Sequence, residues 1–331
     1  MKSDALEHVA IIGAGSWATA LLSLLSRHTR QVHWFTAEPG LQNKLQANPG
    51  ASPYLEGYSL GDATVTVCAT AAEAIQQAEG ILICVPSAFL VAHLGGVSRN
   101  AFQGKTILLA TKGLVGERAQ VPSEWLSSHY NLSQTSVLGL FGPSHAEEVA
   151  RQQTTFLALC GNQHGAAAWQ AVLTAGFMHF RSYPSLWAAE WAGALKNVYA
   201  IGAGLATGLG YGDNFKAVYA AAASLEQLRW LDEQTPDHLY EGLPLLPDLL
   251  VTLFSPHSRN FRFGKLFIET GGFSAARTAL APQQAEGVAV LESLRHNQKK
   301  LPPLANTLYN ILLADEPAAD SFQQLENQLF S

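Results

Sequence analysis

The segment Val9-Ala-Ile-Ile-Gly-Ala-Gly-Ser-Trp-Ala-Thr-Ala20 decides the fold. Its apolar start, two closely spaced glycines and helix-compatible end predict a buried strand, a tight turn and the first turn of a helix. Gly13 permits the turn, Gly15 lets the backbone approach a pyrophosphate, and Ala18 is small enough for the helix to pack on the strand. Because a helix N-terminus offers amide hydrogens and a positive dipole end to phosphates, the segment predicts a dinucleotide site.

Outward from this segment, the first half of the chain alternates short apolar runs with helical patterns. The predicted strands are Val9–Ile12, Val32–Phe35, Ile81–Val85, Thr106–Ala110 and Val137–Leu140, and the first predicted helix is Trp17–Arg27. Such alternation favours a parallel sheet covered on both faces, which binds its ligands beyond the carboxyl ends of the strands. A glycine turn that binds nothing is the alternative, but its place on the first strand favours a dinucleotide.

The second half of the chain has a different character. Long segments rich in Ala and Leu, such as Leu186–Leu205, Phe215–Leu231 and Ala285–His296, predict helices with few strands between them. We place the boundary near Tyr183–Pro184. The sequence therefore predicts an α/β protein in which residues 1–184 form a Rossmann-type doubly wound sheet and residues 185–331 form an all-helical domain.

Composition narrows the function classes. The chain has 331 residues, of which 48% are hydrophobic, and a net charge of −6 that argues against nucleic acid as a partner. Its three cysteines have no paired spacing, and its eleven histidines form no metal motif, so we expect neither a disulfide framework nor a metal site. With no signal peptide and no apolar run long enough to span a membrane, we expect a cytoplasmic enzyme.

The residues after the second predicted strand bear on which dinucleotide binds. An acidic side chain there suits the ribose 2′-hydroxyl of NAD, whereas an Arg suits the 2′-phosphate of NADP. The sequence runs Thr36-Ala37-Glu38-Pro39. The cofactor is therefore NAD or NADP, and Glu38 together with the absence of a nearby Arg slightly favours NAD.

Three further segments carry groups suited to chemistry. Lys112 follows the strand that ends near Ala110, at the sheet's carboxyl edge. Gly142-Pro-Ser-His-Ala-Glu-Glu148 follows the next strand, and Ser144 is a candidate cap for the helix after it. Lys196 stands in a segment that is apolar on nearly every side, and a desolvated lysine has a pKa suited to proton transfer. A surface lysine on an amphipathic helix is the alternative for Lys196.

Together these segments resemble the NAD(P)-dependent glycerol-3-phosphate dehydrogenase family of bacteria, from Val9 to about Leu313. The most specific parts of the resemblance are Gly13-Ala-Gly-Ser-Trp17, Ala110-Thr-Lys-Gly113, Gly142-Pro-Ser-His-Ala-Glu-Glu148, Gly193-Ala-Leu-Lys-Asn-Val198, Asp248-Leu-Leu-Val-Thr252, Ser258-Arg-Asn-Phe-Arg-Phe-Gly264 and Glu286-Gly287. The resemblance implies reversible hydride transfer between a nicotinamide and C2 of dihydroxyacetone phosphate or glycerol 3-phosphate. It also implies a role in phospholipid synthesis.

The resemblance assigns roles residue by residue. Lys196 is the proton donor and acceptor, Asp248 is its carboxylate neighbour, and Lys112 contacts both substrate and cofactor. The remaining implied substrate contacts are Gly142, Ser144, Thr252, Ser258, Arg259 and Asn260. The remaining implied cofactor contacts are Gly13, Gly15, Ser16, Trp17, Ala146, Arg259 and Glu286. An Arg beside an Asn suits a phosphate dianion, which needs a charged grip with several donors. A solvated helix start is the alternative for Arg259 and Asn260.

The chain departs from the family pattern in three places. A Gly-Leu-Gly-Asp approach to the aspartate is replaced by Leu245-Leu-Pro-Asp248, and Pro247 predicts a different backbone path. The usual Thr-Arg-Gly segment is replaced by Tyr219-Ala-Ala-Ala-Ala-Ser224, and the stretch Glu233–Leu243 is insertion-like. These differences leave open a related hydroxyacid or ketopantoate dehydrogenase, or a non-catalytic dinucleotide sensor. The expected partner is a small phosphorylated substrate, and a homodimer is compatible with the family.

Overall fold

The computed structural model describes residues 6–234, 244–297 and 300–329. The chain divides into two compact units. One comprises Met1–Gly116 and Gln120–Ala189, and the other comprises Glu117–Ala119 and Glu190–Ser331. Of the insertion-like stretch Glu233–Leu243, the structure describes only the first two residues, and the rest lies outside the described part of the chain.

The first unit contains a single mixed sheet. Its strands are β1 (His8–Ile12), β2 (Gln31–Phe35), β3 (Thr64–Val67), β4 (Gly80–Ile83), β5 (Thr106–Leu109), β6 (Val137–Phe141), β7 (Thr155–Cys160) and β8 (Met178–Tyr183). They lie in the order β3-β2-β1-β4-β5-β6-β7-β8. The first six follow the order of a dinucleotide-binding sheet, in which the chain reverses direction across the sheet between β1 and β4.

The sheet differs from the expected parallel one at β7, which pairs antiparallel with β6, while β8 runs parallel to β7. The sequence also gave no prediction of β3, β7 or β8. β3 and β8 lie at the two edges and expose much of their length, so they lack the continuous apolar run of a central strand. The central strands β4 and β6 are buried throughout.

Helices cover both faces of this sheet. They are α1 (Ser16–Leu25), α2 (Pro39–Ala47), α3 (Ala71–Gln76), α4 (Ser87–Leu94), α5 (Pro122–Tyr130), α6 (Ala146–Ala150) and α7 (Gln163–Leu173). Alternate residues of the strands pack into two separate apolar clusters, one containing Trp34 and Trp169 and the other containing Phe102 and Tyr130. The doubly wound prediction is therefore confirmed.

The second unit is helical, as predicted. After α8 (Leu186–Gly208), which begins in the first unit, its helices are α9 (Asp213–Gln234), α10 (Leu246–Phe254), α11 (Arg259–Thr270), α12 (Phe273–Leu280), α13 (Glu286–His296), α14 (Pro303–Leu313) and α15 (Ala318–Leu329). No helix in the described residues is both long and apolar enough to cross a membrane.

The packing of α8 positions the second unit's polar residues. A Cβ added at Gly264 of α11 would collide with the backbone of α8 at Ile201, and one added at Gly287 of α13 would meet the carbonyl oxygen of Asn197. These two helices therefore approach α8 backbone to backbone. As a result, the first turns of α11 and α13 lie beside the middle of α8.

Candidate functional site

The glycine turn after β1 is locked in place by its neighbours. Gly13 has a φ of 117°, and a Cβ there would collide with the carbonyl oxygen of Cys84. Its N–H donates to Phe35 O at 2.9 Å, and the Trp34 indole donates to Gly13 O at 2.8 Å. Gly13 is therefore required by the protein's own packing, and the turn is fixed against the end of β2.

Gly15 is different, because the protein's own packing does not explain it. It precedes the first residue of α1 with φ −66° and ψ 178°, which any residue adopts, and a Cβ there would meet no heavy atom within 4 Å. Among the described residues, no side chain caps α1. The start of α1 thus combines amide donors with a backbone surface that a pyrophosphate can approach closely, so the residues fit a dinucleotide. Ser16 and Trp17, both partly exposed, form the first turn of this helix.

The Gly142-Pro-Ser-His-Ala segment forms the turn between β6 and the short helix α6. Gly142 has a φ of 141°. The expected helix cap at Ser144 is wrong: His145 precedes the first residue of α6, and the Ser144 hydroxyl donates to Gly142 O at 3.3 Å instead. Ala146 is buried where α6 packs on α1. Nε2 of His145 is buried without a hydrogen-bond partner in the described part of the chain, so this motif retains an unused polar atom.

Lys112 lies just beyond β5, and its charge is felt by the thiol of Cys84, just beyond the neighbouring strand β4. Burial raises the pKa of Cys84 to about 12, against a smaller opposite effect of Lys112. Cys84 is therefore an inert thiol, whereas Lys112 brings positive charge to the carboxyl edge of the parallel strands, where ligands of such sheets bind.

In the second unit, Lys196 is buried in the middle of α8, with 6% relative exposure. Its Nζ donates to Asp248 Oδ1 at 2.5 Å and to Thr252 Oγ1 at 2.9 Å. Asp248 and Thr252 are one helical turn apart on α10, and the Thr252 hydroxyl donates to Asp248 O at 2.6 Å. The surface-lysine alternative is therefore wrong. Asp248 stabilises the ammonium form of Lys196, which burial alone would disfavour.

Pro247, the departure from the family pattern, does not displace Asp248. It is the second residue of α10, where a backbone N–H has no partner within the helix and proline is tolerated. Asp248 follows in the same first turn, where the positive helix end favours a carboxylate. The altered approach thus still brings the carboxylate to Lys196.

Arg259 is the first residue of α11, and its guanidinium pairs with Glu286 at 2.8 Å. Glu286, the first residue of α13, also accepts a hydrogen bond from Asn197 Nδ2 at 3.2 Å. The side chain of Arg259 remains 45% exposed. The Arg259–Glu286 pair is therefore open to solvent at Arg259. It is joined to α8 through Asn197, the residue that follows Lys196.

Asn260 is buried, and its Oδ1 accepts the N–H of Gly287 at 2.9 Å. This bond fixes the amide so that its Nδ2 end, the donor, is directed elsewhere. Ser258 caps α11, since its hydroxyl accepts the N–H of Phe261 at 3.3 Å. The alternative of a solvated helix start agrees with the exposure of Arg259 but not with the burial of Asn260.

α10 and α13 therefore contact one stretch of α8, and α11 is bonded to the start of α13. They bring together Lys196, Asp248, Thr252, Arg259, Asn260 and Glu286. Sequence reasoning noted Asn197 but gave it no role, and its position one residue after the lysine was the available signal. In the described residues, no group of three or more His, Cys, Asp or Glu side chains could hold a metal ion.

Two family models match the chain in succession. Residues 8–167 match the N-terminal model of the NAD-dependent glycerol-3-phosphate dehydrogenases, and residues 186–323 match the C-terminal model.

Individual proteins give the same result. The chain is 36% identical over 258 residues to glycerol-3-phosphate dehydrogenase [NAD(P)+] of Chlorobium luteolum, covering 76% of this chain and 77% of the relative. It is 31% identical to the enzyme of that name from Chlorobium limicola, covering 96% and 97% of the two chains. Among solved structures, it is similar to glycerol-3-phosphate dehydrogenase from Coxiella burnetii, with a TM-score of 0.83, 25% identity and coverage of 96% and 98%.

Proposed function

Since the chain belongs to the NAD-dependent glycerol-3-phosphate dehydrogenase family, we propose a division of labour among its residues for the reversible reduction of dihydroxyacetone phosphate to glycerol 3-phosphate. The protein is an NAD(P)-dependent oxidoreductase that acts on a small phosphorylated substrate. A related ketopantoate or hydroxyacid dehydrogenase is not favoured, because both halves of the chain match models of the glycerol-3-phosphate enzymes.

The cofactor's pyrophosphate binds, in this proposal, at the start of α1, against Gly13, Gly15, Ser16 and Trp17. The lack of any packing reason for glycine at position 15 supports this assignment. When bound, the nicotinamide supplies or accepts the hydride at C2 of the substrate. Ala146, Arg259 and Glu286 complete the cofactor contacts.

The substrate phosphate binds to the guanidinium of Arg259 and the amide nitrogen of Asn260. Arg259 is exposed enough to meet a ligand, and the bond from Gly287 leaves the donor end of Asn260 for the phosphate oxygens. Charge-assisted bonds of this kind are about twice as strong as neutral ones. Ser258 and Thr252 are proposed to contact the substrate as well, together with Gly142 and Ser144.

Lys196 handles the proton. During reduction, negative charge develops on the C2 oxygen, and the ammonium group of Lys196 stabilises that charge and gives its proton to the oxygen. Asp248 holds the ammonium form ready, while Thr252 fixes the direction of Nζ. In the oxidation direction, the same nitrogen accepts the proton. Lys112 is proposed to contact substrate and cofactor and to add positive charge near the developing oxyanion.

The buried cluster of Lys196, Asp248 and Thr252 is the observation that carries this mechanism. A charged pair with a further hydrogen bond is costly to bury, and its gain to stability over apolar residues is small or absent. A protein that only sensed a dinucleotide has no need of such a cluster.

The experiment follows NADH and NADPH oxidation by the purified protein with dihydroxyacetone phosphate, with ketopantoate and simple 2-keto acids as comparison substrates. We expect turnover with dihydroxyacetone phosphate alone. Nucleotide binding without turnover on any substrate would contradict the mechanism and support a sensor.

We also propose that the protein acts in the cytoplasm as a homodimer. Cys68 and Cys84 form no disulfide, which supports a reducing compartment. Light scattering of the purified chain tests the dimer, and cell fractionation tests the location.

A further inference from the structure

The two cofactors that the family uses differ at one place, the adenosine ribose, which carries a 2′-hydroxyl in NAD and a 2′-phosphate in NADP. In sheets of this type the ribose is bound near the end of the second strand. Here the N–H of Gly13 donates to Phe35 O, the last residue of β2, so the strand end and the glycine turn are held together. Glu38 follows this strand end at the start of α2.

Glu38 is fixed by two contacts. The hydroxyl of Tyr54 donates to Glu38 Oε2 at 2.8 Å, and the backbone N–H of Glu38 donates to Thr36 Oγ1 at 3.3 Å. The hydrogen bond to Glu38 raises the pKa of Tyr54, so its hydroxyl remains protonated at neutral pH and continues to donate. The carboxylate therefore stays at the strand end although it is exposed to solvent.

The loop that carries Tyr54 is itself tied to α1. Ser52 and Thr19 share a buried hydroxyl–hydroxyl bond of 3.0 Å. The N–H of Ser52 donates to the hydroxyl of Tyr58, which donates in turn to Pro49 O. Because α1 is the helix whose first turn meets the pyrophosphate, these bonds place Tyr54 and Glu38 on the same side of the sheet as that turn.

The charged residues of the two segments that carry Glu38 and Tyr54 are acidic. The segments 36–43 and 45–58, which supply both members of the pair, contain Glu38 and Glu56 but no Lys, Arg or His. The basic residue between them, Lys44, lies in the last turn of α2, at the other end of the helix from Glu38. A 2′-phosphate would thus meet a fixed carboxylate and no Lys or Arg from these two segments, whereas a 2′-hydroxyl would find an acceptor.

We propose that the enzyme selects NAD over NADP, with Glu38 as the specificity-determining residue and Tyr54 as the residue that positions it. This inference rests on the proposed dinucleotide site at the start of α1 and adds to it the choice between the two cofactors.

Fluorescence titration of the full-length protein with NADH and NADPH tests the proposal without relying on turnover. We expect NADH to bind at least about tenfold more tightly than NADPH, which corresponds to about 1.4 kcal/mol. Glu38→Gln removes the charge at nearly constant size and should bring the ratio close to one. Ala37→Arg adds an exposed cation beside Glu38 and should tighten NADPH binding.

The matched control is Glu56→Gln, which removes the same charge from an exposed residue of the Tyr54 loop and should leave the ratio unchanged. Tyr54→Phe keeps the charge of Glu38 but releases it, so the ratio should fall part of the way while the melting temperature stays within a few degrees.

The outcomes separate the two proposals. If neither nucleotide bound, the dinucleotide site itself would be wrong, and the inference with it. If both bound and NADPH bound as tightly as NADH, the site would stand and the selection of NAD would be refuted. Equal effects of Glu38→Gln and Glu56→Gln would show a long-range influence of net charge, and Glu38 would not be the selecting residue.

Discussion

The buried pair of Lys196 and Asp248 restricts which substitutions can report on catalysis. Removing either partner leaves the other charge buried and unpaired, which costs about 3–5 kcal/mol in typical proteins. A variant that loses activity through unfolding would then resemble one that loses it through chemistry. Tests of Lys196 therefore need a replacement that retains the charge beside Asp248.

Lys196→Ala is expected to lower turnover by about 10²–10⁴-fold, the usual contribution of a general acid, while NADH still binds. Lys196→Arg preserves the positive charge but holds its proton too tightly to donate it near neutral pH, so it should be comparably slow yet better folded. Steady-state kinetics, nucleotide titration and thermal melting measure these effects. Lys216→Ala, which removes a lysine paired with the exposed Asp213, is the control. Normal turnover of Lys196→Arg would refute the proton role.

Arg259→Ala should raise the KM for dihydroxyacetone phosphate by roughly 10–100-fold, because a hydrogen bond to a charged group contributes about 1.5–3 kcal/mol. The kcat should fall less than kcat/KM. Arg262→Ala is the matched control, since Arg262 lies one turn further along α11 and bonds to Gln283. An unchanged KM in Arg259→Ala, or an equal rise in both variants, would contradict the phosphate role.

At the scale of elements, the sequence predicted those whose pattern is strong and local. Val9–Ile12 and Val32–Phe35 were predicted to within one residue of β1 and β2, because buried parallel strands are continuous apolar runs. β8 was not predicted, since an edge strand with the sequence Met-His-Phe-Arg-Ser-Tyr carries no such run. The antiparallel pairing of β7 with β6 depends on how the two strands pack, which a local sequence pattern does not reveal.

The same contrast applies to the candidate site. The sequence identified Lys196, Asp248 and Arg259 through resemblance, and the structure brings the first two into contact. It did not reveal the bond from Asn197 to Glu286 or the bond from Tyr54 to Glu38, because each joins residues on different elements. Such pairs become visible only once helix packing has set the distances.

Pro247 in α10 is a place where the sequence departs from the family pattern, and a substitution there tests the effect of that departure. Pro247→Ala should lower the free energy of unfolding by about 0.4–1 kcal/mol, because proline restricts the unfolded chain at a position where the helix tolerates it. The kcat should not change, since Asp248 already contacts Lys196. Pro303→Ala, in the first turn of α14, is the control and should show a similar loss. Denaturant unfolding and steady-state rates measure both. A large change in kcat for Pro247→Ala would mean that the proline adjusts Asp248 after all.

At the scale of the whole chain, the helical unit depends on a half-buried acid that the mechanism does not use. Glu226 of α9 accepts the N–H groups of Leu304 and Ala305 at the start of α14, at 2.7 and 3.2 Å. It also accepts the hydroxyl of Tyr199 on α8 at 3.1 Å. One carboxylate thus joins α9 to the start of α14, which is distant in sequence, and to α8, the helix that carries Lys196.

Glu226→Ala should lower the free energy of unfolding by about 2–4 kcal/mol, since three buried donors lose their acceptor. Burial raises the pKa of Glu226 above its ordinary 4.5. The unfolded chain then releases this proton at a lower pH than the folded chain does. The stability linked to that proton is therefore complete below pH 4.5 and is lost as the pH rises through the folded pKa. The difference between wild type and variant should accordingly be larger at pH 5 than at pH 8.

Urea unfolding at both pH values measures this difference. Glu269→Ala, which removes an exposed partner of Lys265, is the control and should cost at most about 0.5 kcal/mol with little dependence on pH. A wild-type advantage over Glu226→Ala that grew from pH 5 to pH 8 would mean that hydrogen bonds to the ionised carboxylate outweigh its burial. In that case the helix junction would be held by a charge, and its stability would increase with pH.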